Sequence, residues 1–196
     1  RSRKELLTLR KIDQAILNSA VDLKQILGIV LDGSLDLFGA HHGQLFILEG
    51  DELVIRATSS KPAEKELGQR LHVENSVSGL AVQTKDTIII DDVDKEPRYQ
   101  RMMEAEHMRS EIAVPLRENN HVLGVLNIES PVLNAFSEHE KETLETLAGQ
   151  AAIAIVRTQN QDELRQTKMI KAVGETASWL VHKIGNVALS LEWSTE

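Results

Sequence analysis

The last quarter of the sequence carries apolar residues spaced alternately four and three positions apart, which is the pattern of a coiled coil or helical bundle. The run consists of Val173, Ala177, Leu180, Ile184, Val187 and Leu191. With Ala177 and Ile184 at heptad position a, His182 falls at f, the position most exposed to solvent. The pattern predicts a long helix that pairs with a second copy and presents His182 outward, with Asn186 four residues further on. A solvated surface histidine on an ordinary helix stays open as the alternative.

Composition narrows the class of protein. The 196 residues are 41% hydrophobic, enough for one domain with helical extensions, and the net charge of −8 disfavours a general nucleic-acid binder. The chain has no cysteine, which excludes disulfides, thiolate metal sites and thioether-linked cofactors, and fits a cytoplasmic location. No segment reaches the roughly 18 apolar residues of a membrane helix, so we expect no membrane segment. Because the chain opens with Arg1 and ends within a helical pattern, we expect it to be part of a longer protein.

The rest of the chain alternates helical and strand patterns. Residues 4–39 have helical periodicity, and two pairs of apolar strands follow, the second joined at the turn signal Asn119-Asn120. Ser76 and Ser137 are suited to cap two further helices, the second of which continues to the end of the chain. This order predicts an α+β domain with a largely antiparallel sheet and helices segregated on one face.

Three blocks in this order resemble the GAF domain family. They are SVSGLAVQTKDTIIIDDVDKEPRY (76–99), SEIAVPLRENNHVLGVLNIESP (110–131) and AFSEHEKETLETLAGQAAIAI (135–155). The resemblance implies a six-stranded antiparallel sheet with helices on one face, a pocket on the other, and a sensory role. It divides the chain into an N-terminal helix for linkage or dimerisation (1–20), a GAF domain (21–156), and a coiled-coil linker that enters a signalling helix (157–196).

By family position, the resemblance also implies residues that line the pocket. They are Ile90, Asp91, Asp92, Met102, Met103, Ile112, Val114, Leu126 and Asn127. A simple core role for most of the apolar members stays open. The ligand is unknown from sequence, but several classes are disfavoured. Absence of cysteine excludes thioether-bound bilin, the aromatic content of 3% disfavours planar ligands, and Ile128 breaks the cyclic-nucleotide signature.

The other candidate motifs give little support for metal binding, haem binding or catalysis. The cluster Asp91, Asp92 and Asp94 lacks the EF-hand spacing, and we interpret it as a solvated loop. The pair His41-His42 has no supporting carboxylate spacing, so we predict no metal site. His72 and His107 are candidate haem ligands by residue type, but a surface position is favoured for each. GAF-like enzymes that reduce methionine sulfoxide need catalytic cysteines. The chain alone therefore carries no complete active site.

The tail, AVGETASWLVHKIGNVALSLE (172–192), resembles the first helix of the dimerisation and phosphotransfer domain of sensor histidine kinases. The resemblance implies that His182 is the phosphoacceptor and that Asn186 assists phosphotransfer or dephosphorylation. Two residues depart from the family pattern. Lys183 replaces the usual acidic residue that acts as base, and Val187 replaces a common proline.

These observations predict a sensory GAF module of a two-component sensor histidine kinase, passing a small-molecule or upstream signal to His182 through a dimeric helix. ATP would bind only in a kinase domain absent from this chain, and a response regulator would be the partner. The alternative is a non-enzymatic ligand-binding and dimerisation module of a different regulator. A cyclic-nucleotide phosphodiesterase regulator is a distant third hypothesis.

Overall fold

The computed structural model of the protein describes residues 3–18, 21–40, 42–61, 65–100 and 107–192, with side chains up to Trp179. The chain divides into two compact units, Arg1–Val156 and Arg157–Glu196. The first contains the sheet and its core. The second consists of the distal part of one long helix.

The helical pattern at the start of the chain forms two helices, α1 (Arg3–Leu17) and α2 (Leu23–Phe38). A capping box starts α2, because the Asp22 carboxylate accepts from the Gln25 amide at 2.8 Å and the Gln25 side chain accepts from the Asp22 amide. The helix ends at Gly39, whose φ of 61° is left-handed. Buried residues of α1, among them Ile12, pack into the same core as α2, so α1 is part of the compact unit.

Six strands form one antiparallel sheet in the order β3-β2-β1-β6-β5-β4. The strands are β1 (His42–Glu49), β2 (Glu52–Thr58), β3 (Arg70–His72), β4 (Ile88–Ile90), β5 (Ser110–Glu118) and β6 (His121–Ser130). The helix α3 (Val77–Thr84) lies between β3 and β4, and its cap is the predicted one, since Ser76 Oγ accepts from the Gly79 amide at 2.9 Å. The architecture confirms the predicted α+β fold.

The two faces of the sheet carry different cores. On one face, α1, α2 and the proximal part of α4 (Glu138–Glu192) bury a large cluster that includes Leu45, Ile112 and Leu126. On the other face, α3 covers a smaller cluster around Phe46 and Val77. Side chains alternate across a strand, so each strand contributes to both cores.

The helix α4 begins as predicted at Ser137, whose backbone amide donates to the Glu140 carboxylate at 2.9 Å. Its first turns bury Leu144 and Leu147 against the sheet, whereas every side chain from 159 to 179 is exposed. Among the helices of the described residues, none combines the length and apolar character needed to cross a membrane.

Candidate functional site

Polar side chains collect on the α3 face of the sheet, where three central strands lie side by side. The antiparallel register places Gln44 opposite Asn127, and Glu129 opposite both His42 and Glu111. All five side chains are at most 5% exposed. Burial of so many polar groups costs folding free energy unless the groups are hydrogen-bonded or bind a ligand. The cluster is therefore the strongest candidate for a binding site.

A cavity of about 20 Å³ lies between this polar cluster and the N-terminal turn of α3. It is lined by Gln44, Phe46, Leu71, Ser76, Val77, Ser78, Tyr99, Gln100, Glu111, Asn127 and Glu129. The volume is sufficient for one water-sized group. The cavity therefore has a polar floor on the sheet and a partly apolar wall.

Glu111 is the most perturbed acid of the site. Burial raises the pKa of the Glu111 carboxyl well above its usual range, and the negative charges of Glu129 and Glu96 raise it further. A hydrogen bond with Asn127 acts in the opposite direction without reversing the shift. Within the described part of the chain, Glu111 Oε2 and Asn127 Oδ1 are buried atoms without a hydrogen-bond partner. The floor of the cavity therefore presents two buried polar atoms whose hydrogen-bonding capacity is not used by the described residues.

A second carboxylate, Glu66, extends the polar cluster from the loop between β2 and β3. Glu66 Oε2 accepts from Gln44 Nε2 at 2.8 Å and from Thr58 Oγ1 at 2.6 Å, and its Oε1 lies 3.9 Å from His42 Nε2. Burial acts to raise the pKa of Glu66, but hydrogen bonds from Thr58, Gln44 and Ser60 and the charge of His42 together lower it. Glu66 is thus held as an anion, in contrast to Glu111.

The predicted pocket residues are divided by the fold. Asn127 lies in the cavity, and Ile90 packs against the α3-side core. In contrast, Ile112, Val114 and Leu126 are buried on the opposite face, against the helices, and do not line the cavity. This corrects the sequence-based assignment of those three residues. The predicted set followed the wrong phase of the two-residue alternation on β5, and on β6 it included neighbours that face opposite sides of the sheet.

Asp91 and Asp92 border a separate open cleft, together with Lys95 and Glu96. Asp92 Oδ2 lies 3.2 Å from Lys95 Nζ, and Asp92 Oδ1 lies 3.6 Å from Arg109 Nη2. The hydrogen bond with Lys95 is the main reason that the pKa of Asp92 is lowered. These ion pairs support a structural role for the loop. The predicted Met102 and Met103 lie outside the described residues.

The remaining candidates do not assemble a reaction centre in the described residues. No group of three or more His, Asp or Glu side chains in these parts of the chain converges as metal ligands. The His72 side chain is 67% exposed on β3, and His107 is also exposed. His182 and Asn186 fall within α4, but their side chains lie outside the described set.

Sequence reasoning missed Gln44, Glu66, Glu111 and Glu129. A usable signal existed for two of them, because Glu111 and Glu129 are acids inside otherwise apolar strands. No such signal marked Glu66, which comes from a polar loop and reaches the site only through the tertiary fold.

A six-stranded antiparallel sheet, with helices on one face and a buried polar cavity under a short helix on the other, defines a sensory domain of the kind found in signalling proteins. The family model described as GAF domain matches residues 20–156 of this chain. The chain therefore belongs to the GAF domain family.

Individual relatives agree with this membership. The chain is 33% identical over 75 residues to GAF domain-containing protein A of Dictyostelium discoideum, a match that spans 38% of this chain and 46% of that protein. The chain therefore spans about half the length of this curated relative.

Solved structures show the same fold. The GAF domain of a phosphoenolpyruvate-protein phosphotransferase from Coxiella burnetii superposes with a TM-score of 0.73 and 27% identity, covering 83% of this chain and 99% of that one. Free methionine-R-sulfoxide reductase from Neisseria meningitidis, in complex with its substrate, gives a TM-score of 0.68 at 23% identity, covering 82% and 95%.

Proposed function

We propose that this chain is the small-molecule-sensing module of a two-component sensor histidine kinase, and that occupancy of the cavity changes the presentation of His182. The observation that carries the sensing role is the cavity floor, where Glu111 Oε2 and Asn127 Oδ1 are buried without a hydrogen-bond partner among the described residues. Native proteins rarely leave such atoms unpaired, so their presence in a cavity favours a ligand.

A conformational signal could pass from the cavity to α4 through strand β5, which packs against both. On β5, Glu111 faces the cavity whereas its neighbour Ile112 is buried in the core that also contains Leu144 of α4. At the neighbouring edge, Thr87 Oγ1 donates to Glu145 of α4 at 2.6 Å. Because packed interiors transmit small shifts, a ligand that moves β5 would alter the packing of α4.

The kinase assignment comes from the sequence of the distal helix. His182 and Asn186 lie one helical turn apart, so a neutral imidazole could accept a phosphoryl group beside an amide that orients it. The phosphotransferase from Coxiella burnetii is a precedent for a GAF domain within a phosphoryl-transfer protein. Methionine sulfoxide reduction is not proposed, because this chain lacks the cysteines that chemistry requires.

The kinase proposal is tested on the full-length parent protein by incubation with γ-labelled ATP. We expect acid-labile, base-stable label that is lost in His182→Gln and retained in His121→Gln, a control at an exposed hairpin position. Label that persists in His182→Gln, or no label in either protein, would contradict the kinase role.

A non-enzymatic sensory and dimerisation module of another regulator is the second candidate. Lys183 favours it, since the phosphoacceptor families usually place the catalytic base there. In this case the cavity would still bind a ligand, and the full-length protein would carry a different effector. The two proposals therefore share the sensing step and differ only in output.

We further propose that the protein acts as a cytoplasmic homodimer through its first and last helices, with a response regulator as downstream partner of the kinase form. Support comes from large apolar side chains exposed on α1 and α4. They are Leu6, Leu7, Leu17, Ile153, Leu164, Met169, Ile170, Val173 and Trp179.

A further inference from the structure

Strand β4 lies at one edge of the sheet, and its backbone is paired on one side only. Its three residues pair with residues 111–113 of β5, and the backbone of no other described segment hydrogen-bonds to β4. The N–H and C=O groups that point away from β5 therefore lack a strand partner within the described part of the chain. An edge of this kind can accept one further strand.

The opposite edge of the sheet is protected by charge, whereas β4 is not. On β3, Arg70 Nη1 lies 2.8 Å from Glu52 Oε2, and Arg70 Nη2 lies 3.1 Å from Glu49 Oε2. Charged side chains of this kind oppose the addition of another strand. In contrast, β4 consists of three isoleucines, and each of them is partly exposed in the single chain. Because isoleucine favours strand pairing, β4 is the edge suited to a partner.

An open cleft of about 350 Å³ adjoins the carboxyl end of β4 and adds an apolar surface to the edge. Ile89, Ile90 and Leu133 contribute its apolar lining. Val132 and Leu133, in the loop after β6, are 61% and 40% exposed. Apolar side chains left exposed beside an unpaired strand favour an interaction surface. We refer to β4 and this cleft together as the β4 edge site.

Two exposed carboxylates stand at the ends of β4 and indicate the charge of a partner. Asp86 lies two residues before the strand, and Asp91 directly follows it. Neither carboxylate forms a salt bridge with a described residue, since Lys95 and Lys141 pair with other acids. The whole chain also carries a net charge of −8. A basic partner is therefore favoured over an acidic one.

We propose that the β4 edge site binds an extended basic segment of a partner protein, which adds to the sheet as a strand beside β4. Backbone hydrogen bonds hold the segment along the edge, and its apolar side chains pack beside the isoleucines and Leu133. Its basic residues, about five positions apart, meet Asp86 and Asp91, which are at most about 17 Å apart along the chain. An anionic membrane surface is disfavoured, because the same two carboxylates repel it. The inference depends on neither the cavity nor the kinase assignment.

The test is two-dimensional amide NMR of the whole 196-residue chain during titration with synthetic hexapeptides capped at both ends. The probes are Arg-Val-Thr-Ile-Thr-Arg and Lys-Ile-Thr-Val-Thr-Lys, whose basic residues have the sequence separation of Asp86 and Asp91. In the charge control of each peptide, glutamate replaces both basic residues. Two further forms carry N-methyl groups on alternate backbone amides, one form for each of the two phases.

We expect at least one basic peptide to shift the amide signals of Ile88, Ile89 and Ile90 saturably, with no response to its glutamate control. One N-methylated phase should bind about tenfold more weakly and the other should bind normally, because only alternate amides of a strand face its neighbour.

The double variant Asp86→Asn with Asp91→Asn should weaken binding about threefold to tenfold, as expected for two exposed ion pairs. Asp51→Asn, at the exposed turn between β1 and β2, should leave binding unchanged. Retained dispersion of the other amide signals shows that each variant is folded.

Four outcomes would overturn the inference. They are no response to either basic peptide, shifts confined to signals outside residues 86–96 and 132–134, equal binding of the glutamate controls, and equal binding of both N-methylated phases. Undiminished binding by the double variant would remove the basic partner as well. Signals of β4 that move with protein concentration before peptide is added would assign the edge to a second copy of this chain, and would overturn the proposal of a partner segment.

Discussion

Glu111 on β5 lies directly opposite Glu129 on β6, and both carboxylates are buried. Like charges at directly paired positions of an antiparallel sheet oppose folding. Burial, first, and the charge of Glu129, second, raise the pKa of Glu111. A raised pKa means that the folded state binds more protons than the unfolded state between the two pKa values, so stability falls as pH increases across that window.

We therefore expect Glu111→Gln to stabilise the ligand-free domain. The gain should be about 1–3 kcal/mol at pH 8, the usual cost of an uncompensated buried polar group, and smaller at pH 5, because the raised pKa of Glu111 makes the folded domain less stable as pH increases. Urea unfolding at both pH values measures the free energy of unfolding. Glu118→Gln serves as the matched control, and an equal effect of both substitutions would refute the assignment.

The hydroxyl of Thr58 is the first of several groups that lower the pKa of Glu66 against the effect of burial. Loss of this hydrogen bond in Thr58→Val should cost about 1.5–3 kcal/mol at pH 7, as is usual for a hydrogen bond to a charged group. Because hydrogen bonds lower the pKa of Glu66, the stability it contributes is present above the unfolded pKa and is lost as pH falls through the folded pKa. Thr58→Ser keeps the hydroxyl and is the control.

The free energy of unfolding of Thr58→Val should therefore be lower than that of Thr58→Ser at pH 7, and this difference should decrease in acid as Glu66 becomes protonated. A difference of the same size at pH 7 and in acid would point to lost packing alone.

Glycine at position 79 lets α3 close the cavity. A Cβ at Gly79 would stand 1.9 Å from the Val73 carbonyl oxygen, a backbone atom, so Gly79→Ala must displace the N-terminal turn of α3. We expect a loss of about 1–3 kcal/mol, the usual cost of overpacking, with changed amide signals along the cavity wall. Gly149→Ala, in α4 with nothing within 4 Å, should instead stabilise by about 0.5–1 kcal/mol.

Thermal and urea unfolding of the two glycine variants gives the comparison. Equal behaviour of Gly79→Ala and Gly149→Ala would show that α3 is not clamped against the turn at Val73.

Much of the fold could be predicted because local signals agree with the tertiary structure. Ser76 and Ser137 cap the helices expected of them, and the hairpin at Asn119-Asn120 forms where its turn residues stand. The boundary between α1 and α2 was less clear, since the apolar pattern continues on both sides of Asp22. The capping box at that residue is the signal that separates them.

The site was harder to predict because the central strands are buried on both faces. Between Ile112 and Leu116, β5 is apolar at every position, so alternation alone does not tell which residues face the helices. Glu111 identifies which alternate residues of β5 face the cavity, provided that a buried carboxylate is accepted as a marker of a cavity. Glu66 could not be found in this way, because its role depends on contacts between a loop and two strands.

The exposed apolar residues of α4 lead to a prediction about assembly. Ile170 and Val173 continue the four-three spacing and are 73% and 63% exposed in the single chain. Burial of such a side chain contributes about 1.5–3 kcal/mol, so a paired helix gains stability at every turn of the seam. We expect analytical ultracentrifugation at tens of micromolar protein to give a mass twice that of the 21.8 kDa chain.

Aspartate at both Ile170 and Val173 would place charges in the seam, and this double variant should sediment as a monomer. Ser178→Asp adds the same charge at heptad position b, on the outer side of the seam, and should stay dimeric. Both variants should keep the unfolding transition of residues 3–156, because every side chain of α4 from 159 to 179 is exposed and adds nothing to that core. A monomeric parent, or a dimer unaffected by the double substitution, would show that the distal helix does not mediate assembly.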